Sequence, residues 1–314
     1  MKKLIVCLTL ISLMWMFSSW GFFAHKLINR HAVFSLPSEL AAFYKIHIHE
    51  ITERAIDADK RCYVDSNEAP RHYIDINDFE EETIDSIPIH WSKAKEKYNE
   101  RNLIARGIVP WQINFTYNNL VKAFAEKDFQ KIIRYTADLG HYVADAHVPL
   151  HTTNNYNGQK TGQIGIHAFW ESRLPEQFAS TYNLLIGKAE YVDDPLSFAW
   201  SIVKESNQLV DQVLDTELKL SQSIPASYQR GYINRNNILL WTYSNFYAES
   251  FHTALEGMVE RRMRASIWAV SSLWYSAWVD AGQPSFPPAT EKIKNATDSI
   301  SIEKVKKLGR EEFL

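Results

Sequence analysis

Three observations predict an all-α fold built as a single multi-helix domain. Apolar residues recur at helical spacing along almost the whole chain, no convincing run alternates apolar and polar residues as a strand does, and no internal repeat divides the sequence. Residues 20–44 form an amphipathic segment punctuated by Pro37, and residues 51–60 read as a short helix. Residues 62–75 read as a loop closing on Arg71, His72 and Tyr73. Two helices follow over 111–126 and 128–146, with the short carboxylate of Asp128 suited to cap the second. Pro149 ends that helix and lets His151 point elsewhere. Residues 156–163 are polar and contain Gly158 and Gly162, so they read as a surface loop. A helix begins at Ile166 and stops near Pro175, and long aromatic-rich helical patterns cover 196–220 and 232–280. Beyond Gln283 the chain turns Pro-rich and then charged, which predicts a polar, loosely attached tail over 284–314.

The N-terminus has its own logic. Met1, Lys2 and Lys3 precede a nearly unbroken apolar run over 4–17, too short and wrongly flanked for a membrane span. Residues 1–19 therefore read as a secretory signal, placing the protein outside the cell or in a periplasm; an uncleaved anchor is the alternative. Cleavage after Ser19 makes Trp20 the first mature residue, although Phe17 stands where a small residue is usual. Formal charge is −3 for the whole chain and −5 once Lys2 and Lys3 leave with the signal. Such a balance argues against a general polyanion binder held by surface charge. Cys62 is the only cysteine after processing, so an intramolecular disulfide is excluded and any metal chemistry falls to His and carboxylates.

Those residues come in pairs. His141 and Asp145 are four apart, and so are His167 and Glu171. Residues four apart on a helix lie one turn above each other on the same face, so each pair makes a clamp of imidazole and carboxylate, a mixture zinc accepts. With His151 between them, two clamps point to a centre of more than one ion. A lone buried His or Asp is usually a satisfied core group; it is the joint pattern that points to ligation. His147 lies off the His141/Asp145 face and reads as structural. Asp138, one turn before His141, reads as either an acceptor for an imidazole N–H or part of a solvated face.

The ordered series Trp20, His25, Asp57, His72, His141, Asp145, His151, His167 and Glu171 resembles the superfamily of zinc-dependent phospholipases C and single-strand-specific zinc nucleases. The resemblance covers 20–171 and implies three zinc ions in one cleft. Asp57, His72, His141 and Asp145 would hold the first, and His151, His167 and Glu171 the second. The third would take the α-amino nitrogen and carbonyl oxygen of Trp20, with His25 and a bridging Asp145. Asp59 lies two residues beyond Asp57, and the fifteen-residue step to His72 favours Asp57. The implied reaction is in-line attack on a phosphodiester by a zinc-bound hydroxide, with Asp57 as ligand and general base and Asp145 as the shared carboxylate.

Substrate features divide. The short Trp20-to-His25 spacing and Trp170 resemble the nucleases. Glu171, the sixteen-residue gap from His151 to His167, the Asp57-Ala58-Asp59 stretch and the lack of paired cysteines resemble the phospholipases. Lys60 stands where the nucleases offer an Arg to phosphate, keeping the charge without the two-pronged grip. Phe23 and Tyr156 are candidates for the substrate rim, while Phe22, Tyr142, Phe169 and Trp170 read as core. No extended basic, aromatic groove for single strands is visible. The expectation is a secreted phospholipase C that touches membrane surfaces transiently. A nuclease acting on single-stranded DNA or RNA is the alternative, and a non-catalytic zinc-binding protein the third reading.

Overall fold

The computed structural model describes residues 21–81, 83–235 and 238–286, and shows an all-α architecture with one small hairpin. Residues 1–20, on which the expected secretory signal and Trp20 fall, and residues 287–314 lie outside the described residues. At the centre, helices Val109–Glu126 and Phe129–Ala146 form an antiparallel pair joined by Lys127 and Asp128. Lys127 turns the chain in the left-handed region (φ 54°), and the Asp128 carboxylate accepts from the Lys131 N–H at 3.1 Å, satisfying one of the open donors of the second helix.

Helices Phe22–Ala32, Ile48–Arg54, Pro195–Gln208 and the long Met258–Asp280 pack on this pair. The core between the pair and these neighbours includes Leu120, Phe124 and Leu139 from the pair and Val203, Ile267 and Leu273 from the neighbours, each wholly buried. Burial of a side chain of this size contributes about 1.5–3 kcal/mol. Two of the buried aromatic groups are tied by hydrogen bonds: Trp274 donates to the Thr136 carbonyl at 3.0 Å, and the Tyr44 and Thr136 hydroxyls meet at 2.8 Å. Among the described residues, no helix is long and apolar enough to cross a membrane.

One close approach decides where the functional residues meet. The Phe22–Ala32 helix passes over Gly140, where an added Cβ would lie 2.1 Å from Asn29 Oδ1. Asn29 is fully buried and donates to the Ala137 carbonyl at 3.2 Å, which fixes it across the crossing. Glycine at 140 lets the backbones approach, and the His25 ring then stacks on His141 with centroids 4.1 Å apart.

Several boundaries depart from the sequence reading. The expected helix over 232–280 opens instead with an antiparallel hairpin, Arg230–Arg235 paired with Ile238–Tyr243, followed by helices Asn245–Ala254 and Met258–Asp280. Apolar residues occupy both faces of this hairpin, so strict alternation is absent from the sequence. The 196–220 pattern divides at Leu209 into Pro195–Gln208 and Val210–Ser223. Helical structure beginning at Ile166 passes through Pro175 to Phe178, with a π segment over Phe169–Arg173. The start of the expected tail packs on the domain: Phe286 stacks on Phe43 at 4.2 Å and Trp278 donates to the Pro284 carbonyl at 3.0 Å.

Candidate metal centre

Six short stretches of chain converge beside the Gly140 crossing. His25 comes from the Phe22–Ala32 helix, Asp59 from Asp57–Arg61, and His72 from just after the Ala69–Arg71 turn. His141 and Asp145 share one face of Phe129–Ala146, and His151 sits on the Pro149–Thr152 turn. His167 and Glu171 lie on the helical stretch Ile166–Ala168 and its π continuation. All five histidines and Asp145 are buried.

The ligand atoms gather into three groups that share carboxylates. In the first, His72 Nδ1 lies 2.9 Å from Asp145 Oδ2 and 3.0 Å from His141 Nε2, and Asp59 Oδ1 lies 3.8 and 3.7 Å from those two nitrogens. In the second, Glu171 Oε2 is 2.8 Å from His167 Nε2 and 3.2 Å from His151 Nε2, and the two nitrogens are 2.8 Å apart. The third uses the remaining oxygens: His25 Nε2 is 3.4 Å from Asp145 Oδ1 and 3.3 Å from Glu171 Oε1. Asp145 thus turns one oxygen to the first group and the other to the third, and Glu171 links the second and third in the same way.

These groups fit metal ions. Ligands about 2.0–2.1 Å from a tetrahedral zinc lie about 3.3 Å from one another, close to the separations found in each group. Hydrogen bonding sets the lone pairs accordingly. The His141 and His151 Nδ1 atoms face the carbonyls of Ala55 and His72, both at 2.7 Å, and must donate to them. Their Nε2 atoms therefore present lone pairs to neighbouring carboxylates and imidazoles, an arrangement that calls for a proton or a cation between them. His72 is oriented from behind, where its Nε2 faces Cys62 Sγ at 3.5 Å and Glu68 Oε1 at 3.7 Å.

Electrostatics point the same way. Burial alone would depress the His72 and His141 imidazolium forms, yet Asp145 and its neighbours Glu68 and Asp59 hold both above their ordinary value. Burial likewise works against the charged forms of Asp145 and Glu171, and the surrounding histidines overcome it and hold both carboxyls well down. Glu68, wholly buried, is kept ionised against burial by His72, Arg61 and Tyr142. Arg61 and Arg71 reach it at 3.1 and 2.6 Å, and the Tyr142 hydroxyl donates to it.

Of the residues expected from sequence, His25, His72, His141, Asp145, His151, His167 and Glu171 come together. Asp57 does not, and Asp59 stands in its place. Residues two apart on a helix point to nearly opposite sides, so only one of these aspartates can face the cluster. Asp57 pairs with Arg54 at 3.3 Å and Lys60 at 3.1 Å. Lys60, expected beside a phosphate, meets Asp57 in this pairing. Phe23 is exposed but lies two positions from His25 on the same helix and leaves the cluster face. Tyr156, expected at the substrate rim, stands half-buried and edge-on to the His167 ring at 6.1 Å.

Trp20 lies outside the described residues, but its neighbour Gly21 (φ +80°) is buried beside the third group. A Cβ there would come within 3.1 Å of Glu171 Oε1. Asp138 is neither an imidazole acceptor nor solvated: it is buried against Arg61 at 3.0 Å. His147 is buried with its Nδ1 donating to the Val143 carbonyl at 2.7 Å. No family model matches the chain, and no curated protein matches it.

Proposed function

We propose that the protein is a secreted zinc-dependent phosphodiester hydrolase acting on phospholipids in the manner of a phospholipase C. The observation that carries this reading is the sharing of Asp145 and Glu171 among three facing ligand groups. Three divalent ions there would bring about +6 against three carboxylates, an excess suited to a phosphodiester and to the added charge of its transition state. Zinc, when bound, supplies Lewis acidity and lowers the pKa of water towards ~7.

The chain's own residues then have distinct tasks. His141 and His151 are held in fixed tautomers by the Ala55 and His72 carbonyls, and Glu68 lies behind His72 Nε2 at 3.7 Å. Asp59, partly exposed where its partners are buried, would accept the proton of an attacking water at its carboxylate. Tyr156 borders the entrance beside His167. The overall charge of −3 offers no general attraction to a polynucleotide, which favours a lipid diester over a nucleic-acid strand.

Protein beginning at Trp20 tests the reading, with zinc counted by elemental analysis and hydrolysis followed on phosphatidylcholine and on single-stranded DNA, with and without chelator. About three zinc per chain and chelator-sensitive release of the lipid head group is the expected result. Cleavage of DNA alone would replace lipid by nucleic acid. Zinc without turnover of either substrate would leave a binding protein, and absence of zinc would end the proposal.

A further inference from the structure

The Arg230–Tyr243 hairpin has no role in the centre, and its composition is unlike the rest of the chain. In its register Tyr232 faces Trp241, Asn234 faces Leu239, and Arg230 faces Tyr243, so these six share one face. On that face Tyr232 is 73 % exposed, Leu239 67 % and Trp241 59 %, and the Tyr232 and Trp241 rings meet at 5.1 Å. Trp241 is the only exposed tryptophan among the described residues. Beside the hairpin base, Tyr228 and Phe246 add a second exposed ring pair at 6.2 Å. Scattered exposed apolar residues are ordinary, but a contiguous group of large ones marks a contact surface.

Charge selects the partner. Between Glu217 and Glu249 the sequence has no carboxylate but contains Lys219, Arg230 and Arg235, although acids outnumber bases 37 to 34 overall. An apolar, Trp- and Tyr-bearing surface in an acid-free, basic stretch matches the boundary of a phospholipid layer, where amphipathic rings settle and basic side chains meet phosphate.

The hairpin is also joined to the centre. The Tyr243 ring lies flat on Phe169, with centroids 3.9 Å apart and an 11° angle between planes. Phe169 sits between His167 and Glu171 in the sequence. Arg230 and Tyr243 both donate to the Ile164 carbonyl, at 2.9 and 3.3 Å, at the start of that ligand-bearing stretch. A surface engaged by the hairpin is therefore held in register with the segment carrying two ligands.

We propose that the Tyr232–Leu239–Trp241 face is a docking element that enters the headgroup region of a phospholipid surface, preferring anionic lipid. The inference deepens the phospholipase reading, but it can be tested apart from catalysis. Full-length mature protein would be mixed with vesicles of phosphatidylcholine and of phosphatidylcholine with phosphatidylglycerol, and binding followed by co-sedimentation and tryptophan emission. The expected result is a blue shift with tighter binding to the anionic vesicles. Tyr232→Ser combined with Trp241→Ser should weaken binding at least ~10-fold and abolish the shift. Zinc content and hydrolysis of a small soluble diester measure the centre separately and should be unchanged, which also shows that the variant folds.

If the double variant lost its fold, Leu239→Ser alone should still weaken vesicle binding. Absence of vesicle binding, or binding untouched by either variant, would overturn the proposal. So would a hairpin-dependent dimer in sedimentation velocity, or hairpin-dependent binding of single-stranded DNA without vesicle binding. Failure of diester hydrolysis alongside hairpin-dependent vesicle binding would remove the enzymatic reading and leave the docking element standing.

Discussion

The ligand cluster around Asp145 and the hairpin around Trp241 lie on either side of the Phe169–Tyr243 stack, yet they invert the usual placement of polar and apolar groups. In the cluster, three carboxylates and five imidazoles gather in and around the core, where each needs a partner to offset lost hydration. In the hairpin, aromatic and aliphatic side chains stand in water although a large core lies nearby. Both arrangements cost stability on their own, and the partners proposed for them differ: closely spaced lone pairs suit a small cation, whereas a broad apolar face suits an extended surface.

Substitutions test this contrast. The largest effect belongs to Asp145→Ala, which removes a carboxylate from two groups at once. Zinc content should fall by more than one ion, and diester hydrolysis by about 10³-fold or more, while vesicle binding persists. Asp59→Ala comes next, with loss of one zinc and a fall in activity of about 10²-fold. Asp57→Ala should stay within about twofold, since exposed pairs such as those with Arg54 and Lys60 contribute little. An inverse result would return the ligand role to Asp57.

Glu68→Gln should weaken metal binding about 10–100-fold, measured by chelator competition, because it loosens His72 without removing a ligand. Gly140→Ala should destabilise the protein by about 1–3 kcal/mol in urea unfolding, by crowding the buried Asn29 amide. Unchanged stability would show that the helix crossing relaxes freely.

The smallest expected effect is a pH dependence at His147. Burial, then the charge of Arg262, hold its imidazole well below the ordinary 6.5. The unfolded chain takes up a proton near that pH when the folded chain does not, so the neutral ring's contribution is full above it and drains away as pH falls through and below it. The stability difference between the parent and His147→Gln, both stripped of metal, should therefore narrow from pH 7.5 towards pH 5. A difference independent of pH would show that the buried ring can take its proton.

The legibility of the sequence follows the same division. The His141/Asp145 and His167/Glu171 pairs were readable because helical spacing is local, and Asp128 was readable as a cap for the same reason. The choice between Asp57 and Asp59 was not, because spacing places the two on opposite sides but does not tell which side meets His72. Glu68 gave no signal, since its partners Arg61, Arg71, Tyr142 and His72 gather only when the helices pack. The hairpin escaped because apolar residues on both its faces erase the twofold alternation, and the exposure of Trp241 is a property of the assembled surface. The π segment at Phe169–Arg173 hid behind a spacing that also suits an ordinary helix.

His25 and His141 are stacked in the finished molecule but 116 positions apart in the chain. The two local pairs can take shape as soon as their helices form, whereas the stack requires the Phe22–Ala32 helix to close a long loop and dock across Gly140. Closing such a loop carries an entropic cost that only distant contacts repay. Completion of the third ligand group therefore depends on that long-range docking, and metal uptake there would report whether the Phe22–Ala32 helix has reached its final seat.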